Sequence, residues 1–221
     1  FEDTAELENA TKGLVASLDT LDIYDDNGKL VWSQTAYAFL DQDAPDTANP
    51  SLWRDTQLNH IYGLFEVTDG IYQVRGYDMS NVTFIKGDTG WIVVDPLMSV
   101  ECAQAALALV EENLGTFPVK AVIYSHSHVD HFGGVKGIVS EEEVQAGNVQ
   151  VIAPEGFEKH AVSENIYAGT AMGRRASYQY GTMLEGGETG SLAIGIGMGQ
   201  SKGKTSYISP TLEITQTGEK H

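Results

Sequence analysis

The chain has 221 residues, 42% of them hydrophobic and 20% charged, which is an ordinary composition for one sizeable globular domain or two small ones. Its formal net charge of −18 argues against a nucleic acid partner, because phosphate binding needs a basic surface. The sequence contains no apolar run of about 18 residues, and it therefore predicts no membrane span.

The first part of the chain, residues 1–51, is predicted to be an N-terminal arm that lies on the body formed by residues 52–221. Helical spacing of leucines predicts a helix over Glu6–Leu18. Turn residues at 25–28 separate two short apolar runs and predict a hairpin. A segment with two prolines, residues 41–51, is predicted to be a loop.

The body alternates between short apolar runs and helical patterns. Turns at 68–70 and 87–90 predict two further hairpins, and an amphipathic helix is predicted over Val100–Leu114, ended by Gly115. Cys102 is the only cysteine, which excludes an intrachain disulfide, and it is predicted to be a small buried residue of this helix. Mostly helical structure is predicted over 155–175, and strands at 119–125, 149–153 and 212–214. Hairpins followed by alternating helix and strand predict an α/β fold, as in the first half of an αββα sandwich.

The most informative segment is SHSHVDHFGG, residues 125–134, which directly follows the predicted strand VKAVIYS. It places four strong metal ligands within six positions: His126, His128, Asp130 and His131. A rigid strand fixes the geometry of the ligands that follow it. Imidazole and carboxylate groups suit a borderline ion such as zinc. The alternative is a solvated histidine-rich turn, but four ligands rarely coincide at this spacing by chance.

This motif, HxHxDH after an apolar strand, resembles the metallo-β-lactamase superfamily, whose members are mostly dizinc hydrolases. The resemblance implies that His126 and His128 hold one zinc ion, and that Asp130 and His131 hold the other, with Asp130 as the catalytic residue of the motif. Asp95, at the end of WIVVDP, is expected to orient a ligand histidine by accepting its second ring proton. A simple Asp-Pro turn is the alternative for Asp95.

Other residues carry weaker signals. Gly133 and Gly134 indicate either close backbone packing beside the metal site or turn flexibility. Arg174 and Arg175 are candidate substrate-binding residues, because two guanidinium groups can hold an anion, although a helix C-terminal pair is the alternative. The glycine-rich stretch at 195–205 fits neither the dinucleotide-binding nor the P-loop pattern. Three histidines lack supporting context: His60, His160 and His221.

Long strings extend the resemblance over nearly the whole chain to the type III alkylsulfatases, which are metallo-β-lactamase-type sulfatases. They include NPSLWRDTQLNHIYGLFEVTDGIYQVRGYDMSNVTFIKGDTGWIVVDPL, YSHSHVDHFGGVKGIVSEE and VIAPEGFEKHAVSENIYAGTAMGRRASYQYG. The resemblance implies hydrolysis of alkyl sulfate esters to alcohol and inorganic sulfate, with two Zn²⁺ ions that polarise the sulfate and activate water. It also implies detergent degradation, a homodimer for the full-length protein, and a periplasmic or secreted location.

The resemblance covers only the N-terminal part of such an enzyme, so the sandwich is expected to be incomplete. Two further Glu ligands, one further His, the dimerisation domain and the sterol-carrier-like domain of the family are absent from this sequence. Residues 1–221 alone are therefore expected to bind zinc weakly and to be inactive. The alternatives are another hydrolase of the superfamily, such as a thioesterase or lactamase, and an inactive fragment or interaction module.

Overall fold

A computed structural model describes residues 4–218 of the chain, so His221 lies outside the described residues. Within that range there are six α-helices: α1 Ala5–Thr11, α2 Pro50–Asn59, α3 Val100–Leu114, α4 Glu141–Gln145, α5 Phe157–Val162 and α6 Gly169–Tyr180. There are ten strands: β1 Leu14–Ala16, β2 Asp22–Tyr24, β3 Leu30–Ser33, β4 Gly63–Thr68, β5 Ile71–Arg75, β6 Val82–Lys86, β7 Trp91–Val94, β8 Val119–Ile123, β9 Gln150–Pro154 and β10 Leu212–Ile214. Short 3₁₀-helices lie at Thr35–Asp41, Val129–His131 and Val135–Gly137, and a π-helical turn lies at Ser163–Tyr167.

Eight strands form one mixed sheet in the order β1-β4-β5-β6-β7-β8-β9-β10, and β2 and β3 form a separate hairpin. Neighbours from β1 to β7 are antiparallel, whereas β7, β8, β9 and β10 are parallel. Parallel neighbours need a crossover, and α3 provides it between β7 and β8. The predicted α/β class is confirmed, and the described residues contain one large sheet of the expected sandwich.

The core lies between this sheet and α3. Val93, Val122 and Val151 are adjacent in three neighbouring strands and are inaccessible to solvent. They belong to the same apolar cluster as Ala103 and Ala106 of α3, whose small side chains allow the helix to approach the sheet closely. This packing holds β7 and β8 rigidly, and the motif follows β8.

Most of the predicted elements are present. The three predicted hairpins correspond to β2–β3, β4–β5 and β6–β7, while α3 and β10 have the predicted bounds. Cys102 is buried as predicted. No helix between residues 4 and 218 combines the length and the apolar character needed to cross a bilayer.

The predicted helix over Glu6–Leu18 is wrong in its second half. The helix ends at Thr11, and Leu14–Ala16 instead forms β1, an edge strand paired with β4. Gly13 causes the break, because its φ of +78° is left-handed and a Cβ there would overlap the carbonyl oxygen of Glu66. The spacing of the leucines continues past Gly13, and for this reason it predicted one helix where the chain forms a helix and a strand. The domain boundary after residue 51 stays a prediction.

Candidate metal centre

The candidate site lies where β7 and β8 end, at the same edge of the sheet. Val94 of β7 pairs with Ile123 of β8, and the backbone amide of Asp95 donates to the carbonyl of Ile123 at 2.9 Å. Because the two strands are parallel, their carboxyl ends meet at this edge. Asp95 therefore lies beside Ser125, where the histidine motif begins.

Asp95 holds two parts of the motif at once. Its Oδ1 accepts from the Ser125 amide at 2.8 Å, and its Oδ2 accepts from the Ser125 hydroxyl at 2.6 Å. The same Oδ2 lies 2.9 Å from Nδ1 of His131. Asp95 adopts φ 55°, an uncommon left-handed conformation for a residue with a side chain, and such conformations concentrate at functional sites. The structure thus places Asp95 where the sequence analysis expects a residue that orients a histidine.

The hydrogen-bond partners of His126 and His131 indicate which ring nitrogen carries the proton. Asp95 accepts a hydrogen bond from Nδ1 of His131, and Nε2 of His131 lies 3.1 Å from Oδ2 of Asp130. The Ser125 hydroxyl donates a hydrogen bond to Asp95, and its oxygen therefore accepts from Nδ1 of His126 at 2.9 Å. Nε2 of a neutral His126 then carries no proton. These proton positions follow from the hydrogen-bond network.

His128 presents the other nitrogen. Its Nε2 lies 3.1 Å from a carboxylate oxygen of Glu164, and its Nδ1 lies 3.1 Å from Nε2 of His126. Without a metal, a proton on either nitrogen makes this contact a hydrogen bond, whereas a metal ion between the rings would accept both lone pairs. Two ligands on one tetrahedral zinc ion, with Zn–N bonds of about 2.0–2.1 Å, would be about 3.3 Å apart. The spacing therefore fits a shared metal ion.

The two ligand pairs lie next to each other. The rings of His126 and His131 have centroids 4.1 Å apart. Asp95, His126 and His131 each offer a ligand atom within 4.8 Å of the others, a grouping that can hold a metal ion. Two oxygens of Asp95 are already taken by Ser125 and His131, so its geometry favours orientation rather than direct ligation. The four motif residues do converge, and their role as metal ligands stays a prediction.

The pKa values of His131 and His126 are shifted in opposite directions. Burial alone would lower the pKa of His131, but hydrogen bonds with Asp130 and Asp95 raise it to about 9. Burial alone would likewise raise the pKa of each of these two carboxyls, but their hydrogen bonds with His131 hold it below the usual range. Burial lowers the pKa of His126, and the neighbouring histidines lower it further. A neutral His126 has a lone pair available for a metal.

Close packing behind the motif depends on two glycines. A Cβ on Gly133 would overlap the carbonyl oxygen of Met98, and one on Gly134 would overlap that of Pro96. The amide of Gly134 donates to the carbonyl of Leu97 at 2.9 Å. Close packing, rather than turn flexibility, is therefore the role of this glycine pair.

A cavity of about 390 Å³ opens beside the second ligand pair. Asp95, Asp130 and His131 line it together with polar side chains, among them Ser80 and Asn81. The hydroxyl of Ser80 donates to the backbone carbonyl of Asp130 and so supports the motif from this side. The cavity gives a small polar group access to the predicted ligands.

The other candidate residues lie outside this cluster. Arg174 and Arg175 are exposed on α6, where neither forms an ion pair with any residue between 4 and 218, and their substrate role stays a prediction. His60 lies in the body, with Nδ1 2.7 Å from Oε1 of Gln34, and His160 is exposed on α5.

Sequence reasoning missed two residues of the site. The sequence analysis assigns no role to Ser125, although its position directly before His126 could indicate one. No feature of the sequence points to a role for Glu164, because its contact with His128 joins segments that are distant along the chain.

Comparisons with known proteins show which family the chain is similar to. The family model of the metallo-beta-lactamase superfamily matches residues 75–202. A linear primary-alkylsulfatase of Pseudomonas sp. is 51% identical over 100% of this chain, which covers 33% of that protein. An (R)-specific secondary-alkylsulfatase of Pseudomonas sp. is 47% identical over 100% of this chain and 34% of its own length.

Solved structures also match over the whole chain. The stereoselective inverting sec-alkylsulfatase Pisa1 from Pseudomonas sp. superposes with a TM-score of 0.94 at 47% identity, over 100% of this chain and 35% of that one. The chain therefore spans about a third of the length of the relatives that it matches.

Proposed function

Because the chain belongs to the metallo-β-lactamase superfamily, we propose that the full-length protein hydrolyses sulfate esters of alkyl alcohols to the alcohol and inorganic sulfate. The observation that carries this proposal is the convergence of four predicted ligands at one sheet edge, where His126 Nε2 faces His128 Nδ1 and His131 Nε2 faces Asp130 Oδ2, each at 3.1 Å. Identities of 47% and 51% to alkylsulfatases over the whole chain support the substrate class.

In this proposal the motif holds two zinc ions. His126 and His128 hold one ion, and Asp130 and His131 hold the other. Bound zinc supplies Lewis acidity toward the sulfate oxygens and lowers the pKa of a water molecule to about 7. Asp95 keeps His131 in one orientation directly and His126 through the Ser125 hydroxyl, so the ligand atoms are set before a metal arrives.

The substrate is an anion, and the protein carries a formal net charge of −18, so binding needs a local positive centre. Two divalent ions supply such a centre. Arg174 and Arg175 are proposed to assist in holding the sulfate group, and an apolar pocket to hold the alkyl chain. The homodimer, the periplasmic or secreted location and the role in detergent degradation are parts of the same proposal, supported by the family resemblance.

The test is a sulfate-release assay on the purified full-length protein with dodecyl sulfate. We expect turnover, two zinc ions per chain by elemental analysis, loss of turnover with a chelator and its recovery with added zinc. A thioester and a β-lactam serve as parallel substrates. Hydrolysis of either of these without sulfate release would contradict the proposed substrate class, and turnover that resists complete removal of metal would contradict the zinc centre.

A further inference from the structure

We propose that Glu164 is a positioning residue for His128: its carboxylate accepts a hydrogen bond from the Nε2–H group of this ring, so that Nδ1 faces the metal. The inference rests on the proposed function, because it assigns a role toward the same metal centre. It concerns a residue outside the histidine motif, contributed by the π-helical turn Ser163–Tyr167.

The geometry of His128 requires such a partner. A neutral imidazole has one protonated nitrogen, and either nitrogen can carry the proton. His126 and His131 bind their protons on Nδ1, toward Ser125 and Asp95, but His128 faces its neighbour His126 with Nδ1. To present Nδ1 to a metal, His128 therefore needs its proton on Nε2, which is the opposite tautomer from the other two histidines. Among residues 4–218, the Glu164 carboxylate oxygen at 3.1 Å is the acceptor beside Nε2.

Glu164 is not placed to share a metal with Nδ1 of His128. The two nitrogens of an imidazole ring direct their lone pairs away from each other, so a carboxylate at Nε2 lies on the far side from Nδ1. A carboxylate in this position orients the ring and makes the ligand nitrogen more basic. The Glu164 side chain is only 24% exposed, so it does not extend freely into solvent as most surface carboxylates do.

The local backbone explains how Glu164 reaches the motif. The amide of Ala168 donates to the carbonyl of Ser163 at 2.9 Å, the wide hydrogen bond of a π turn. Asn165 Nδ2 donates to the carbonyl of Ala161 at 2.9 Å, which satisfies an oxygen in the preceding turn. The π turn changes the register between α5 and α6, and such turns occur frequently at functional sites. Here Glu164 contacts His128, while Ile166 and Tyr167 are 71% and 84% exposed.

The test compares the full-length protein with Glu164→Ala and Glu164→Gln. Zinc affinity is measured by competition with a fluorescent chelator, and the tautomer of His128 by ¹⁵N NMR of the imidazole. We expect E164A to bind zinc about 10- to 100-fold more weakly and to lose the fixed Nε2–H tautomer. E164Q should recover most of the affinity, because its amide oxygen can still accept from Nε2. Glu155→Ala is the control, since it removes an exposed carboxylate from the same region.

The outcomes separate this inference from the function it rests on. If the unaltered protein binds zinc tightly and E164A binds it equally well, with His128 still protonated on Nε2, the assignment of Glu164 is wrong and the zinc centre stands. An equal loss in E155A and E164A would indicate a general charge effect and would also overturn it. An unaltered protein that binds no zinc overturns both proposals. Should E164A fail to fold, Glu164→Met, which keeps the chain length without an acceptor, takes its place with the same expectation.

Discussion

Single residues decide which ring nitrogen each histidine of the site offers. Oδ2 of Asp95 lies 2.9 Å from Nδ1 of His131 and orients this ring directly. The same oxygen accepts from the Ser125 hydroxyl at 2.6 Å and so orients His126 indirectly. One carboxylate thus fixes the orientation of two predicted ligands. Its loss should therefore affect metal binding more than the loss of any exposed carboxylate.

Asp95→Asn tests this control. The amide nitrogen cannot accept from the donors that face it, so we expect a 10- to 100-fold loss of zinc affinity, on the order of 1–3 kcal/mol, with a matching fall in turnover at limiting zinc. Zinc titration of the full-length protein is the measurement. Asp88→Asn, in an exposed turn, is the control and should leave the affinity unchanged. An affinity in D95N equal to that of D88N would contradict the role of Asp95.

His131 gives the metal-free protein a pH dependence. Its pKa is raised to about 9 in the folded state, against about 6.5 in an unfolded chain. The stability contributed by the charged ring is therefore fully present below about pH 6.5 and is lost as the pH rises through about 9. Urea unfolding of the metal-free protein should show this decrease between pH 6 and pH 10, and His131→Gln should lessen it. The same slope in both proteins would show that another group is responsible.

At the scale of elements, the site is the meeting point of two loops at one sheet edge. The loop after β7 contains two left-handed residues that are not glycine, Asp95 and Leu97. The loop after β8 packs on it through Gly133 and Gly134. Asp78 joins these loops to the glycine-rich segment, because its buried carboxylate accepts from the amides of Met98 and Ser99 and from the hydroxyl of Ser201, which lies 2.7 Å away. A rigid junction of this kind keeps the ligand atoms in place without metal.

Gly134→Ala tests the junction. The added methyl group would overlap Pro96 and approach Ser99 and Ala103, so we expect a loss of about 1–3 kcal/mol in the free energy of unfolding. Zinc affinity should fall as well, because the motif must shift. Gly173→Ala, at an open position in α6, is the matched control and should stabilise the helix by about 0.5–1 kcal/mol. Equal stability of both variants in urea unfolding would show that the loops can separate at no cost.

At the scale of the whole molecule, the described residues form a sheet, its helices and the four predicted ligands of the motif. The four motif ligands divide into two pairs, whereas catalytic zinc sites usually present three protein ligands to the metal. The 221 residues alone should therefore hold zinc weakly and show no release of sulfate from dodecyl sulfate. Elemental analysis and the sulfate assay on the purified chain measure both properties. Two tightly held zinc ions with turnover would show that these residues complete the site themselves.

Local patterns in the sequence determined a large part of this protein. The three hairpins, α3 and the strand that leads into the motif follow from turn residues and apolar periodicity, which act within a few residues. The convergence of His126, His128, Asp130 and His131 likewise follows from their spacing in one short segment, and their role as metal ligands stays a prediction.

Only the tertiary structure decided how these ligands are held. Leu14–Ala16 is a strand because β4 offers a hydrogen-bonding edge, which outweighs the leucine spacing. Asp95 was expected to orient a histidine, but which histidine it contacts became visible only in the structure. Glu164 comes from the π-helical turn, and no local pattern records its contact with His128. Hydrogen bonds depend on distances of about 3 Å in space, whereas a sequence pattern specifies only separations along the chain.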